Sequence, residues 1–531
     1  MNRRKRLITR ANKRISLGNA AALLILASMF GLILGFLRTK LVNANFSALG
    51  PESTDAYFAA FKIPDLFFFT VAAGALGVAF MPFLADKLAN NDRKAIWELS
   101  NSLLNLLAII MFFVGIIIFV FAEPLIRYIV APTMSEDQVH NAVTIMRFIA
   151  FNPFLFTISG ILTSVQQTFG RFFFYAIAPL FYNGSIIISI YVFQDSLGLI
   201  GLGVGALIGA ILQLLVSLAG FIGLKYKYKA QIKWANPDFK LILAQLPSRS
   251  LDQGIDSVNS IVETNLARRL GEGKLTYYEN AFILHTAPTL LIGTTISTAA
   301  FPRLTDRLSQ GRPDLFRKEF LQILRVIIWL ILPVAVLVYF TRGYLARLIF
   351  TNYAPQIALI LGFFVGAILF RTIYALLSRW FYAQKDTKTT LYVSLFAIAL
   401  NIVLAYVLSR PDAYDVAGLA MAQSLVAAAE VTILFSIMIM RDHKLLDKEF
   451  WSGLYRILSV TGFTVITAFI MLTLLPLDSN DRGFITLGAK LSAISAVTLF
   501  VHLAMSALFD LDEVKPIVKK VKQMVLSTVK I

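Results

Sequence analysis

The chain has 531 residues, 57% of them hydrophobic and none of them cysteine, with a formal charge of +18. The apolar share exceeds the roughly 45–50% usual in soluble domains, and the lack of cysteine excludes disulfides, thiolate metal sites and cysteine nucleophiles. The basic residues fall mostly in short stretches between apolar segments, with no nucleic-acid-binding motif beside them, so they report membrane topology rather than a nucleic-acid partner.

Residues 1–16 are a basic N-terminus that leads into an apolar stretch near Leu17–Leu37. It is too long for a signal-peptide core and lacks a small-residue cleavage site, so it reads as a retained first span. Hydropathy then predicts about fourteen membrane-crossing helices, each long enough for a hydrocarbon layer of roughly 30 Å. They lie near 17–38, 56–85, 97–121, 143–168, 172–193, 199–224, 241–268, 277–302, 319–341, 355–383, 390–409, 415–440, 453–476 and 484–508. The fold class expected is an all-α polytopic membrane protein.

With the N-terminus inside, about 31 Lys and Arg fall on the cytoplasmic side and about nine on the other. That bias places both termini in the cytoplasm. Residues 225–240 then form a basic cytoplasmic linker carrying Lys225, Lys227, Lys229, Lys233 and Lys240. Residues 509–531 form a basic amphipathic tail in which Val514–Ile531 alternates Lys with Val, Ile and Leu, which suits either a tail lying on an anionic leaflet or a solvated end.

Prolines 64, 82, 153, 179, 247, 288 and 333 fall inside or near the ends of spans, where each removes a backbone donor and can bend its helix. Gly201, Gly203, Gly205 and Gly209 form a small-residue stripe that packing alone explains.

A charge inside the bilayer costs a few kcal/mol on insertion scales, so each such residue is a functional candidate that must face protein or water. The candidate substrate-binding residues are Arg38, Asp55, Lys62, Arg249, Asp256 and Glu263. Asp252, Asp256 and Glu263 recur at spacings of four and seven, along one helical face. The bland readings remain beside these: Arg38 and Asp55 as interfacial anchors, Lys62 and Asp65 as a mutual ion pair, His285 as a packed neutral imidazole. The chain has no phosphate-binding G-x-x-x-x-G-K-[ST] loop, no zinc H-E-x-x-H pair and no nucleophile elbow. It is expected to be a transporter rather than an enzyme, with no cofactor and no metal.

Several ordered runs resemble the MurJ (MviN) family of lipid II flippases, within the superfamily that includes multidrug (MATE) exporters. They are Gly35-Phe36-Leu37-Arg38, Thr54-Asp55-Ala56-Tyr57 running on to Lys62-Ile63-Pro64, Gly74-Ala75 with Ala79-Phe80-Met81-Pro82, Phe169-Gly170-Arg171-Phe172, Phe301-Pro302-Arg303-Leu304, and Arg379-Trp380 through Lys388-Thr389. The resemblance implies two six-helix lobes, 17–224 and 241–440, around a central cavity, with spans 13 and 14 (453–508) forming a groove for a lipid tail. It implies alternating access for lipid II or a related polyprenyl-pyrophosphate glycolipid across the bacterial plasma membrane, by a protein expected to be a monomer. Arg38, Asp55 and Lys62 match family positions. Departures occur at Leu32, Thr39, Phe68, Phe69, Ala73, Ile283 and Thr286, where relatives commonly carry charge. The alternatives are an ion-coupled multidrug or other polyprenyl-glycan exporter, or a transport-inactive scaffold.

Overall fold

A computed structural model describes residues 17–73, 80–350, 352–478, 481, 483–516 and 519. The expectations placed on 1–16, on Gly74-Ala75 and Ala79, and on most of 509–531 lie outside these residues. No strand occurs among those described. The helices are α1 (Leu17–Asn45), α2 (Thr54–Phe67), α3 (Met81–Ala89), α4 (Arg93–Pro124), α5 (Glu136–Ile149), α6 (Asn152–Thr168), α7 (Phe173–Leu197), α8 (Ile200–Ala219), α9 (Pro237–Arg269), α10 (Lys274–Pro288), α11 (Thr295–Ser309), α12 (Pro313–Ile349), α13 (Ala354–Ala383), α14 (Lys388–Leu408), α15 (Ala417–Arg441), α16 (Lys448–Leu474) and α17 (Phe484–Leu508).

Among the described residues, twelve helical stretches are long and apolar enough to cross a membrane. The other two expected spans follow different rules. Helix α9 is continuous over 33 residues but carries Arg249, Asp252, Asp256, Glu263, Arg268 and Arg269, which removes it from the apolar set. The segment after α2 passes through a π-helical turn at Phe68–Ala73, four residues beyond Pro64. Two further π turns, Leu125–Val130 and Thr289–Thr294, begin directly after Pro124 and Pro288. A proline gives up the i→i−4 bond and crowds the preceding turn, and a locally widened helix accommodates that. Pro179 and Pro333, by contrast, sit inside unbroken helices.

The chain divides into two compact units, Met1–Thr276 and Tyr277–Ile531. In the first, α3, α4, α6 and the start of α9 share a core of Phe80, Leu84, Leu99, Leu103, Leu162 and Phe239. Helices α7 and α8 pack closely because Gly205 and Gly209 face the α7 backbone: a Cβ at Gly209 would lie 3.0 Å from both the Cα and the carbonyl oxygen of Tyr182. Gly203 faces α5 instead, where a Cβ would lie 3.2 Å from the Cα of Ile145. The small-residue stripe thus serves two helix contacts. The segment joining α8 to α9 runs as an irregular strap against α4, and burial pushes the Tyr226 phenol on it up to about 12, so that it stays a donor.

In the second unit, α12, α13 and α15 close around Phe320, Leu324, Leu377, Phe381, Leu434 and Met438. Helices α16 and α17 lean on α12 through Trp329, whose indole donates to Ser506 Oγ at 2.9 Å, and through Arg325, which pairs with Glu513 at 2.6 Å. Gly453 of α16 leaves room for that guanidinium, which any side chain there would strike.

Between α13 and α14, Asp386 caps the next helix by accepting from the amides of Lys388 and Thr389 at 3.1 and 3.0 Å, and it pairs with Arg441 at 2.7 Å. Partial burial raises its pKa, but the Thr389 hydroxyl and amide and then Arg441 outweigh that and hold it at about 2, below the ordinary 3.8. A folded value below the unfolded one means the contribution is present above pH 3.8 and lost as pH falls toward 2. Asp386→Asn is expected to remove this part of the acid sensitivity, at a cost of up to about 1 kcal/mol near neutrality. Thermal melts of the purified protein at several acidic pH values read both.

Candidate functional site

Five of the six candidate residues have described side chains, and all five belong to the first unit. They are placed by α1, α2 and α9. Ser53 caps α2 by accepting from the Asp55 amide, which fixes the start of the helix. Asp55 is wholly buried there. One carboxylate oxygen accepts from Arg268 Nη1 at 2.5 Å and the Gly273 amide at 2.8 Å; the other accepts from the Thr276 amide at 2.8 Å and the Thr276 hydroxyl at 2.6 Å. A carboxylate has about four lone-pair sites, and all four are occupied. Arg268 is itself 3% exposed and also donates to the Thr133 carbonyl and to Gln138 Oε1 at 3.2 and 3.1 Å. The result is a buried ionic knot that ties the beginning of α2 to the end of α9.

Further along the same pair, Lys62 donates to Ser260 Oγ at 2.8 Å, and a side chain at Gly254 would collide with Thr70. The partners 55/268, 62/260 and 70/254 keep a nearly constant register, as two antiparallel helices require. At 1.5 Å per residue the contact runs for about 22 Å. Glu263 lies on this stretch of α9, 3% exposed, and accepts from Asn259 at 3.0 Å, while Asp256 is exposed. The Arg249 side chain lies outside the described residues, although its backbone belongs to α9.

Arg38 stands apart from the acid residues. It is half-buried on α1 and makes one hydrogen bond among the described residues, from Nη1 to Asn183 Oδ1 on α7 at 3.1 Å. The buried Tyr57 is within electrostatic reach of it and of Asp65. Arg38 lies seven residues before the end of α1 and Lys62 eight residues after the start of α2, so each is about 10–12 Å inside its helix measured from the shared connection. The two cations therefore enter at similar depth. Each of these half-buried side chains carries charge-assisted donors, the chemistry a phosphate oxygen accepts.

Sequence reasoning overlooked Arg268, Ser260 and Asn183. The available signal for Arg268 was the Arg268-Arg269 pair at a helix C-terminus, where the dipole favours cations and gives an arginine a local explanation. The second unit holds a separate polar centre, where Arg371 contacts the 3%-exposed Glu430 at 3.3 Å and donates to Gln423 at 3.1 Å. His285 stacks on Phe364 with ring centroids 4.4 Å apart, a packed imidazole.

Comparison with known proteins bears on the family and the fold. The family model described as "Lipid II flippase MurJ" matches residues 47–480. A protein of Borreliella burgdorferi described as a probable lipid II flippase MurJ is 22% identical over 453 residues, covering 84% of this chain and 87% of that protein. Among solved structures, a lipid II flippase MurJ in an inward closed conformation aligns with TM-score 0.75 at 22% identity, over 92% of this chain and 98% of that one. An inward-facing MATE family multidrug transporter follows at TM-score 0.63 and 15% identity, over 80% and 98%. The multi-pass helical fold is thus shared with both, and because the family model covers most of the chain, the protein belongs to the MurJ lipid II flippase family.

Proposed function

We propose that this protein moves a lipid-linked peptidoglycan precursor, lipid II or a close polyprenyl-pyrophosphate relative, across the bacterial plasma membrane by alternating access. Family membership supplies the substrate class, and one observation carries the mechanism: Arg38 is a half-buried cation inside the membrane unit with no carboxylate partner among the described residues and a single neutral hydrogen-bond acceptor. Most of its five N–H donors are left for an anion. Lys62 enters at the same depth and supplies the second charge, with Arg249 of α9 a third. A pyrophosphate shared among such groups loses its water without losing its counter-charge, which is what lowers the barrier to crossing hydrocarbon. No covalent step is needed.

In this reading Asp55 is a positioning residue. With its lone pairs filled by Arg268, Gly273 and Thr276, it holds α2 against α9 and so closes one end of the path. Both termini face the cytoplasm, as the basic loops favour, and the closed end is then the outer one. In the alternating-access cycle the α2–α9 contact parts and the cargo leaves. The glycolipid tail stays in lipid beside 453–508. Asp256, exposed on α9, and Glu263, bound to Asn259, line the same helix and set the balance of charge along it.

The test is complementation. The unmodified chain is expected to sustain growth of a bacterium depleted of its own MurJ, and Arg38→Ala and Arg249→Ala are each expected to fail at normal expression. Growth of both variants would remove these arginines from the mechanism; failure of the unmodified chain, expressed and inserted, would count against the substrate.

A further inference from the structure

The strap between α8 and α9 is more closely built than a connection requires. Residues 225–229 read Lys-Tyr-Lys-Tyr-Lys, and α4 presents to them two buried asparagines one turn apart, Asn101 and Asn105. Asn101 accepts the Tyr226 hydroxyl and donates to the Lys227 carbonyl at 3.3 Å. Asn105 accepts the Tyr228 hydroxyl at 2.8 Å and donates to the carbonyls of Lys229 and Gln231 at 2.8 and 3.0 Å. The two repeats match in length: four residues of helix advance about 6 Å, and two residues of extended chain about 6.6 Å. Each Tyr-Lys step therefore meets the next asparagine.

Two consequences follow from this ladder. The tyrosines and the carbonyls are used against α4, so the side chains of Lys225, Lys227 and Lys229 remain exposed, and among the described residues none of the three has a carboxylate within ion-pairing distance. Lys233 differs, lying 4.0 Å from Glu98. Three ammonium groups are thus gathered along about 13 Å of backbone. Second, the same strap roofs a cavity of about 860 Å³, with Tyr228 and Trp234 on its strap side and Ile109, Phe112, Phe154 and Ile158 beneath. Helix α4 has no charged or amide side chain from Leu106 to Phe121, so the cavity passes from the polar ladder into the apolar part of a membrane span.

A row of cations above an aromatic and aliphatic hollow fits a molecule with an anionic head and a hydrocarbon body. A soluble anion has no use for the hollow, and a zwitterionic lipid gains little from three uncompensated lysines. We propose that the strap and the cavity form a binding site for an anionic glycerophospholipid of the surrounding bilayer, its phosphate held by Lys225, Lys227 and Lys229 and an acyl chain lying against Phe112, Phe154 and Trp234. The site is separate from the cargo path and does not depend on what the protein transports. It fastens the link between α8 and α9 to the leaflet it touches.

Trp234, 55% exposed at the cavity rim, is the reporter. The full chain is reconstituted in phosphatidylcholine vesicles containing either brominated phosphatidylglycerol or brominated phosphatidylcholine at the same mole fraction, and tryptophan emission is measured. The symmetric leaflets make the result independent of insertion direction. Stronger quenching by the phosphatidylglycerol is expected, and Trp234→Phe should abolish the difference. The combined Lys225→Gln, Lys227→Gln and Lys229→Gln variant should need about tenfold or more of the brominated phosphatidylglycerol for the same quenching, taking a conservative share of the attraction expected per lysine near an anionic surface. Lys227→Gln alone, which leaves the backbone ladder in place, should give an intermediate loss. Equal quenching by the two lipids, or a preference that survives the triple substitution in protein with unchanged circular dichroism, would overturn the proposal. So would displacement of the phosphatidylglycerol by millimolar inorganic phosphate, which would identify a free-anion site.

Discussion

Asp55→Ala should lower the stability of the purified protein by about 3–5 kcal/mol, because it strands the buried Arg268 guanidinium without its counter-charge. The substitution also removes the acceptor for the Gly273 and Thr276 amides, leaving both to find another partner. A double substitution distinguishes this from general damage. Asp55→Leu together with Arg268→Met takes away both charges, and exchange of a buried ion pair for apolar groups is commonly near neutral, so the pair should recover much of the loss. Denaturation in a mild detergent supplies the stabilities and their coupling. A single Asp55→Ala variant as stable as the unmodified protein would show that α2 and α9 are not held together by this knot.

Arg38→Ala should have the largest effect on substrate handling, with little effect on stability. Among the described residues the guanidinium forms one hydrogen bond, to a neutral amide, so its loss strands no buried charge there. Hydrogen bonds to a charged group are worth about 1.5–3 kcal/mol each, which makes the loss of one arginine contact to a pyrophosphate roughly tenfold to a hundredfold in affinity. Arg38→Lys keeps the charge without the bidentate fork and should fall between the two. Titration of the purified variants with lipid II, read by native mass spectrometry, orders the three. Equal retention of lipid II by all of them would remove Arg38 from the site.

Much of the architecture is legible in the chain because the membrane simplifies the problem. A helix that crosses hydrocarbon must be long and apolar, so its position shows in hydropathy alone, and proline marks where it deviates. Even there the form of the deviation was hidden: Pro288 gives a π turn, whereas Pro333 leaves α12 intact, since neighbouring helices decide how a freed carbonyl is accommodated. Residues with a chemical anomaly also stand out: Arg38, Asp55, Lys62 and Glu263 draw attention because charge is rare among such apolar stretches. Their partners were not. Asn183 is 145 residues from Arg38, and Arg268 is 213 residues from Asp55. Such pairs come from tertiary packing, which local periodicity does not encode. The Lys-Tyr-Lys-Tyr-Lys strap shows the same limit. Its lysines read as a topology signal until the helix bearing Asn101 and Asn105 is seen beside it.

Translocation itself tests the account most directly. In vesicles containing the full chain and lipid II with a fluorescent headgroup label, the share of label open to a membrane-impermeant quencher is followed over time. The account predicts that label initially shielded in the inner leaflet becomes quenchable faster than in protein-free vesicles, and that Arg38→Ala returns the rate to the protein-free value. Exchange no faster than in empty vesicles, with the unmodified protein folded and inserted, would contradict it.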